Sequence, residues 1–225
     1  LKRLIDHLAK LPVIKELELE QIKALSQLAA YKEYDKGETI AHIGEIWPNL
    51  LIVDKGSINL VKTSSEGRTL TLRNVKQDEP FWAHSLFSEE PMPVSLITAE
   101  KCSIYLWHQS DFMPMVDQNT KALKAVCEVL SKRVMQCTQV IDDLAFQHLS
   151  SRLARMLLNQ FEGADQAPVP RDITLDEMAS RLGTTREMVC KLLYRFADDD
   201  LITITRTELY FNNKQRLEKI AHSNH

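Results

Sequence analysis

The sequence predicts an α+β chain: a small all-β roll preceded by short helices, one long helix, and a compact helical unit that ends in a β-hairpin. Three observations carry this expectation. Four of the six glycines fall at positions 37, 44, 56 and 67, each in a turn-like setting, with short strand-like runs between them. A strict heptad follows, and after it come two short amphipathic segments broken at Gly183.

Length and composition bound the classes. A chain of 225 residues allows one large domain or two modest ones, and 44% hydrophobic content suffices for a core, which excludes disorder and collagen. No apolar run approaches the roughly 18 residues of a membrane span. The opening Leu1-Lys2-Arg3-Leu4, with Asp6 and Lys10 behind it, has no signal-peptide core, so a cytoplasmic protein without a membrane partner is expected. Cys102, Cys127, Cys137 and Cys190 form no C-x-x-C pair and read as reduced, mostly buried thiols. Residues 171–225 carry equal numbers of basic and acidic side chains, so the net charge of −3 belongs to the first part. Any nucleic-acid binding must therefore come from local placement of charge.

The elements follow in chain order. Residues 1–30 read as two short helices separated by Pro12, with Leu4, Ile5, Leu8 and then Ile22, Leu25, Leu28 at helical spacing. Leu50 to Val53, Ile58 to Val61, Leu70 to Leu72, Val94 to Thr98 and Cys102 to Trp107 read as strands of an all-β unit over residues 31–110. Leu123, Cys127, Leu130, Val134, Cys137, Ile141, Leu144 and His148 then recur at alternating spacings of four and three. Such a seam marks Thr120 to Phe146 as a dimerisation helix rather than a broad-faced core helix. Cys127 and Cys137, facing their own copies in a parallel pair, are small core residues or, alternatively, redox-sensing thiols. A further helix over residues 148–161 ends at Gly163, and the loop to Asp172 carries Pro168 and Pro170.

Between Ile173 and Phe196 two helices are each given a capping box, Thr174 with Glu177 and Thr184 with Glu187, and Gly183 supplies the turn. Met178, Ala179 and Leu182 are expected to pack on Val189, Leu192, Leu193 and Phe196, which is helix-turn-helix grammar. That packing leaves Thr185, Arg186, Glu187, Cys190, Lys191 and Arg195 free. Arg186 suits guanine, Glu187 suits cytosine, and Thr185 suits phosphate. A hairpin from Leu201 to Ile204 and Leu209 to Phe211 supplies a wing.

With these residues in place, the chain resembles the CRP/FNR family of bacterial transcription regulators over essentially its full length. The glycine-punctuated roll, the long helix ending Asp143-Leu144-Ala145-Phe146, and Thr185-Arg186-Glu187-x-Val189-x-Lys191, similar to the family's Ser-Arg-Glu-x-Val-x-Arg, match in order. The resemblance implies an α+β fold with a cyclic-nucleotide-binding-like β roll (residues 1–119), a long dimerisation helix (120–147) and a C-terminal winged helix-turn-helix (148–225). It also implies a homodimer on palindromic double-stranded DNA, with RNA polymerase as a partner. Lys191 stands where the family has Arg and, lacking the guanidinium fork, is expected on phosphate.

Cyclic-nucleotide members of the family carry Gly-Glu and then Arg-Ser in a phosphate-binding cassette. Here Trp82-Ala83 aligns with the first pair and Pro91-Met92-Pro93-Val94 spans the second, with no arginine between Arg73 and Arg133. A buried phosphate without a cation is costly, so the effector is expected not to be a cyclic nucleotide. Pro80-Phe81-Trp82-Ala83-His84-Ser85 resembles the haem-ligating segment of the family's carbon-monoxide sensors, which implies haem as a candidate cofactor, with His84 as iron ligand and a diatomic gas as signal. Phe81, Trp82, Leu86 and Phe87 are the expected apolar wall of that effector pocket. Two other readings stay open: a DNA-binding dimer with no small ligand, and a cupin-like metal enzyme on His42, His84 and His108. The second lacks any His-x-His, so no catalytic residue is assigned.

Overall fold

The structure, a computed structural model, describes residues 2–88 and 90–223, so Leu1 of the expected first helix lies outside the described residues. Helix α1 (Lys2–Leu8) and helix α2 (Leu19–Leu28) are separated by a turn of 3₁₀-helix at Ile14–Glu16. Eight strands follow: β1 (Ala30–Tyr34), β2 (Thr39–Ala41), β3 (Asn49–Lys55), β4 (Ile58–Thr63), β5 (Thr69–Val75), β6 (Pro80–Trp82), β7 (Ser95–Thr98) and β8 (Cys102–His108). They form two four-stranded sheets, ordered β1-β8-β3-β6 and β2-β7-β4-β5. The sequence run Leu50 to Val53 does not alternate because β3 is covered on both faces, and all four side chains are buried. On one face Ile58 and Leu96 of the second sheet share its core; α1, α2 and α3 (Gln109–Asp117) contribute Leu8, Leu25 and Phe112 to the same cluster. Trp107 Nε1 donates to the Leu25 carbonyl at 2.7 Å, fixing β8 to α2 by a satisfied buried donor.

Asn119 caps the long helix α4 (Thr120–Phe146), its Oδ1 accepting from the N–H groups of Lys121 and Ala122. One stripe of α4, with Ala122, Ala125 and Val126, is buried in the roll's core. The heptad stripe is bare. Leu123, Leu130, Val134, Ile141 and Leu144 are 39–65% exposed, and Cys127 and Cys137 are exposed with them. This corrects the expectation of mostly buried thiols, since within one chain only Cys102 is buried. His148, eighth in the heptad count, lies beyond the helix end and stands at the N-cap of the next one.

The chain divides into two compact units, one of residues up to Lys62 together with Leu72–Cys137, the other of Thr63–Thr71 together with the chain from Thr138 onward. The second unit has its own core. Helix α5 (Leu149–Gln160) buries Leu153, Ala154 and Leu157 against the helix-turn-helix pair α6 (Leu175–Leu182) and α7 (Arg186–Asp198) and against the terminal helix α8 (Lys214–Ala221). Strands β9 (Val169–Pro170), β10 (Ile202–Ile204) and β11 (Glu208–Phe211) make a three-stranded wing in the order β10-β11-β9. The expected fold class is the observed one: β roll, long helix, winged helix-turn-helix.

Candidate nucleic-acid interface

Two local devices set the angle between α6 and α7. Thr174 and Glu177 close a capping box on α6, with Thr174 N donating to Glu177 Oε2 at 2.8 Å and Glu177 N donating to Thr174 Oγ1 at 3.2 Å. Gly183 stops α6 in the left-handed region at φ 62°, a conformation that costs any residue with a Cβ. The cap of α7 differs from the expectation. It is Thr185, not Thr184, whose Oγ1 accepts from Met188 N at 3.4 Å, and no reciprocal bond makes it a box. The reason is geometric: Thr184 N is drawn into the Gly183 turn by a bond to Ala179 O at 3.0 Å, so the helix starts one residue later.

Met178, Ala179, Leu182, Val189, Leu193 and Phe196 are buried together, and Leu192 packs at their edge. The opposite face of α7 is open. Arg186, Glu187, Cys190, Lys191, Tyr194 and Arg195 line one concave surface on it, and Thr185 is exposed just before it. The Glu187 carboxyl is held below the usual carboxylate range, first by its own backbone N–H and then by the Thr185 hydroxyl, with Arg186 adding to the effect. Arg186 Nη1 lies 3.3 Å from Asp176 Oδ2 in the first turn of α6. Thr185, Arg186, Glu187 and Lys191 are thus brought to one helix face. Sequence reasoning missed two neighbours. Tyr194, 66% exposed, sits three residues beyond Lys191 on the same face, a spacing that would have found it. Asp176 had no local signal, because its partner is ten residues away across the turn.

The segment expected to hold an effector is arranged differently. Strand β6 pairs with β3, setting Phe81 opposite Leu51 and Trp82 opposite Leu50. Phe81 and Leu86 are buried in the roll's core, while His84 is exposed, its Nε2 3.3 Å from Ser88 Oγ. Trp82 is half-buried with its ring centroid 5.1 Å from that of Phe112 and 6.5 Å from that of Phe87, and its Nε1 is buried without a hydrogen-bond partner. Phe81 and Leu86 therefore lie in the core with Trp82 packed at its edge, while His84 stands at the surface. His84 thus stands apart from the buried Phe81 and Leu86 expected to wall a haem with it, and among the described residues no three His, Cys, Asp or Glu side chains gather as metal ligands. Met92, within the stretch aligned with the family's Arg-Ser pair, is buried in the same core.

Two sequence families meet in this chain. The cyclic nucleotide-binding domain matches residues 31–119, and the Crp-like helix-turn-helix domain matches residues 151–220. The chain belongs to the CRP/FNR family. A CRP/FNR chain of this kind is a DNA-binding transcription regulator, and the family consists of regulators rather than enzymes. The chain is 23% identical over 219 residues to a CRP-like cAMP-activated global transcriptional regulator of Mycobacterium tuberculosis, covering 95% of this chain and 98% of that one. Its fold resembles a regulator of the CRP/FNR family from Eubacterium rectale, with TM-score 0.82 at 20% identity, covering 95% and 99% of the two chains. It also resembles a CooA mutant from Carboxydothermus hydrogenoformans, with TM-score 0.66 at 18% identity and 87% and 88% coverage. At such identities the structures speak for the fold alone. No helix among the described residues is long and apolar enough to cross a membrane.

Proposed function

We propose that this CRP/FNR regulator works as a homodimer that reads a pseudo-palindromic site on double-stranded DNA, gated by an effector other than a cyclic nucleotide. The observation that carries the reading is the open N-terminal face of α7, where Thr185, Arg186, Glu187 and Lys191 stand clear of the packed face. Arg186 meets guanine and Glu187, kept ionised, accepts from cytosine. Thr185 and Lys191 contact phosphate. The bare heptad stripe of α4 supplies the dimer seam through Leu123, Cys127, Leu130, Val134, Cys137, Ile141 and Leu144. RNA polymerase as the partner in transcription rests on the family alone.

The effector reading is supported by what occupies the phosphate cassette. Relatives are cAMP-activated, but here Trp82-Ala83 and the stretch with buried Met92 offer no carboxylate for a ribose and no cation for a cyclic phosphate. Selection of duplexes from a random pool by the full chain, followed by titration with and without cyclic AMP, tests both parts. A pseudo-palindrome with half-sites about one DNA turn (~34 Å) apart and an affinity indifferent to cyclic AMP are expected. Equal binding of every duplex overturns the sequence-specific reading, and a cyclic AMP-dependent gain overturns the effector reading. The purified protein is expected to show no Soret band; a stoichiometric one that His84→Ala abolishes would make haem the effector.

A further inference from the structure

The Arg186 guanidinium pairs with a carboxylate across the turn and has a second one beside it in sequence. Asp176 Oδ2 on α6 is 3.3 Å from Nη1, and Glu187 adjoins it at the start of α7, ionised and turned onto its own N–H. Glu177, the other acid in the first turn of α6, closes the capping box with Thr174, and the ion pair to Arg186 comes from Asp176. The Asp176–Arg186 pair is well exposed, at 70% and 61%, and such a pair does little for folding. Its consequence is for what Arg186 can approach. A DNA phosphate carries a full negative charge, whereas guanine O6 and N7 carry partial ones, so two adjacent carboxylates oppose the first far more than the second. Asp176 also restrains a long side chain that would otherwise sweep the nearest backbone oxygen.

We propose that Asp176 is a positioning residue for base reading, holding the Arg186 fork off the DNA backbone and committing it to a guanine edge. This rests on the DNA-binding function proposed above, and deepens it: the acid lowers affinity for wrong sequences more than for the right one, which is specificity gained by disfavouring the competitor.

The test uses the full chain and duplexes selected by it from a random pool. The base pair read by Arg186 is the one at which Arg186→Ala loses discrimination, and each of the four base pairs is then placed there. The wild type is expected to prefer its guanine by a factor on the order of ten. Asp176→Asn is expected to cut that preference by about two- to five-fold, mainly by tightening binding to the substituted duplexes. Asp176→Glu restores it, and an unchanged melting midpoint in both variants separates positioning from folding. If Asp176→Asn shifts all four duplexes by one common factor, Asp176 supplies only general repulsion and the inference is overturned. If Arg186→Ala keeps full discrimination everywhere, the inference falls while a selected pseudo-palindrome still upholds the DNA-binding reading. If the wild type selects no sequence, both fall together.

Discussion

Arg155 Nη1 lies 3.2 Å and 3.3 Å from the two oxygens of Asp143, so α5 is tied to the last turn of α4 by a charged pair. The same guanidinium donates through Nη2 to Gln147 Oε1 at 3.4 Å and to the Ala221 carbonyl at 3.5 Å, gathering the end of α4, the short connection after it and the end of α8. Only a planar fork reaches this many acceptors at once.

Arg155→Met should therefore lower stability by about 1 kcal/mol, since the pair is about one-third exposed and partly screened. For a chain of this size that is a fall of about 2–4 °C in the melting midpoint, read by calorimetry. Arg155→Lys should recover part of it through charge without the fork. Equal midpoints for all three proteins would mean that solvent compensates the pair fully.

The Cys102 thiol is pushed up to about 11, chiefly by burial and then by the Glu100 carboxylate. At pH 8 its thiolate fraction is about one in a thousand, so iodoacetamide should leave Cys102 unmodified in the native protein, as read by mass spectrometry. The folded state keeps a proton that the unfolded chain releases near pH 8.5–9. Stability from this site is thus fully present below that range and lost as pH climbs through 11. Tyr34 and Tyr105, also raised by burial, add loss of the same sign. Cys102→Ala should flatten part of the alkaline decline in denaturant midpoint and leave the tyrosine part.

A charge on the bare stripe of α4 should dissociate the dimer. Leu130→Glu places carboxylates face to face on the seam, and sedimentation should then report a monomer with DNA affinity much reduced, because half-sites are no longer engaged together. In the wild type, mild oxidation should crosslink a parallel pair through Cys127 or Cys137, seen on non-reducing gels. A species that stays dimeric in Leu130→Glu would move the interface off the heptad.

The parts of this fold that the sequence made legible are those that short-range periodicity encodes. The long helix through Leu144, the glycine turns and the Thr174–Glu177 box each rest on signals within about four residues and stand in the structure, while His148, the eighth position of the heptad, falls past the helix end. What was not legible depended on partners far along the chain. Strands β1 and β2 carry weak alternation and exist because β8 and β7 pair with them. Helices α3 and α8 went unread, the first disguised by Pro114 within it. In the binding face, Arg186 and Lys191 followed from motif spacing, whereas Asp176 emerged only when the Gly183 turn folded α6 back on α7. His84 was named by a local resemblance alone, and it stands exposed at the start of the 3₁₀ turn after β6.

Arg186 and Lys191 should separate base reading from backbone contact in one experiment. Arg186→Ala removes a fork that can bond guanine O6 and N7 together, so it should cost about 1–3 kcal/mol on the selected duplex and flatten the preference at one base pair of each half-site. Lys191 has a point charge and no fork. Lys191→Gln should weaken all duplexes by a similar factor, leave every base preference intact, and reduce the slope of log K against log salt by about one per subunit. Equilibrium binding at three or more salt concentrations on matched and substituted duplexes gives both quantities. If Lys191→Gln instead loses discrimination at a single base pair, Lys191 reads a base as the family's arginine is expected to, and its assignment to phosphate is wrong.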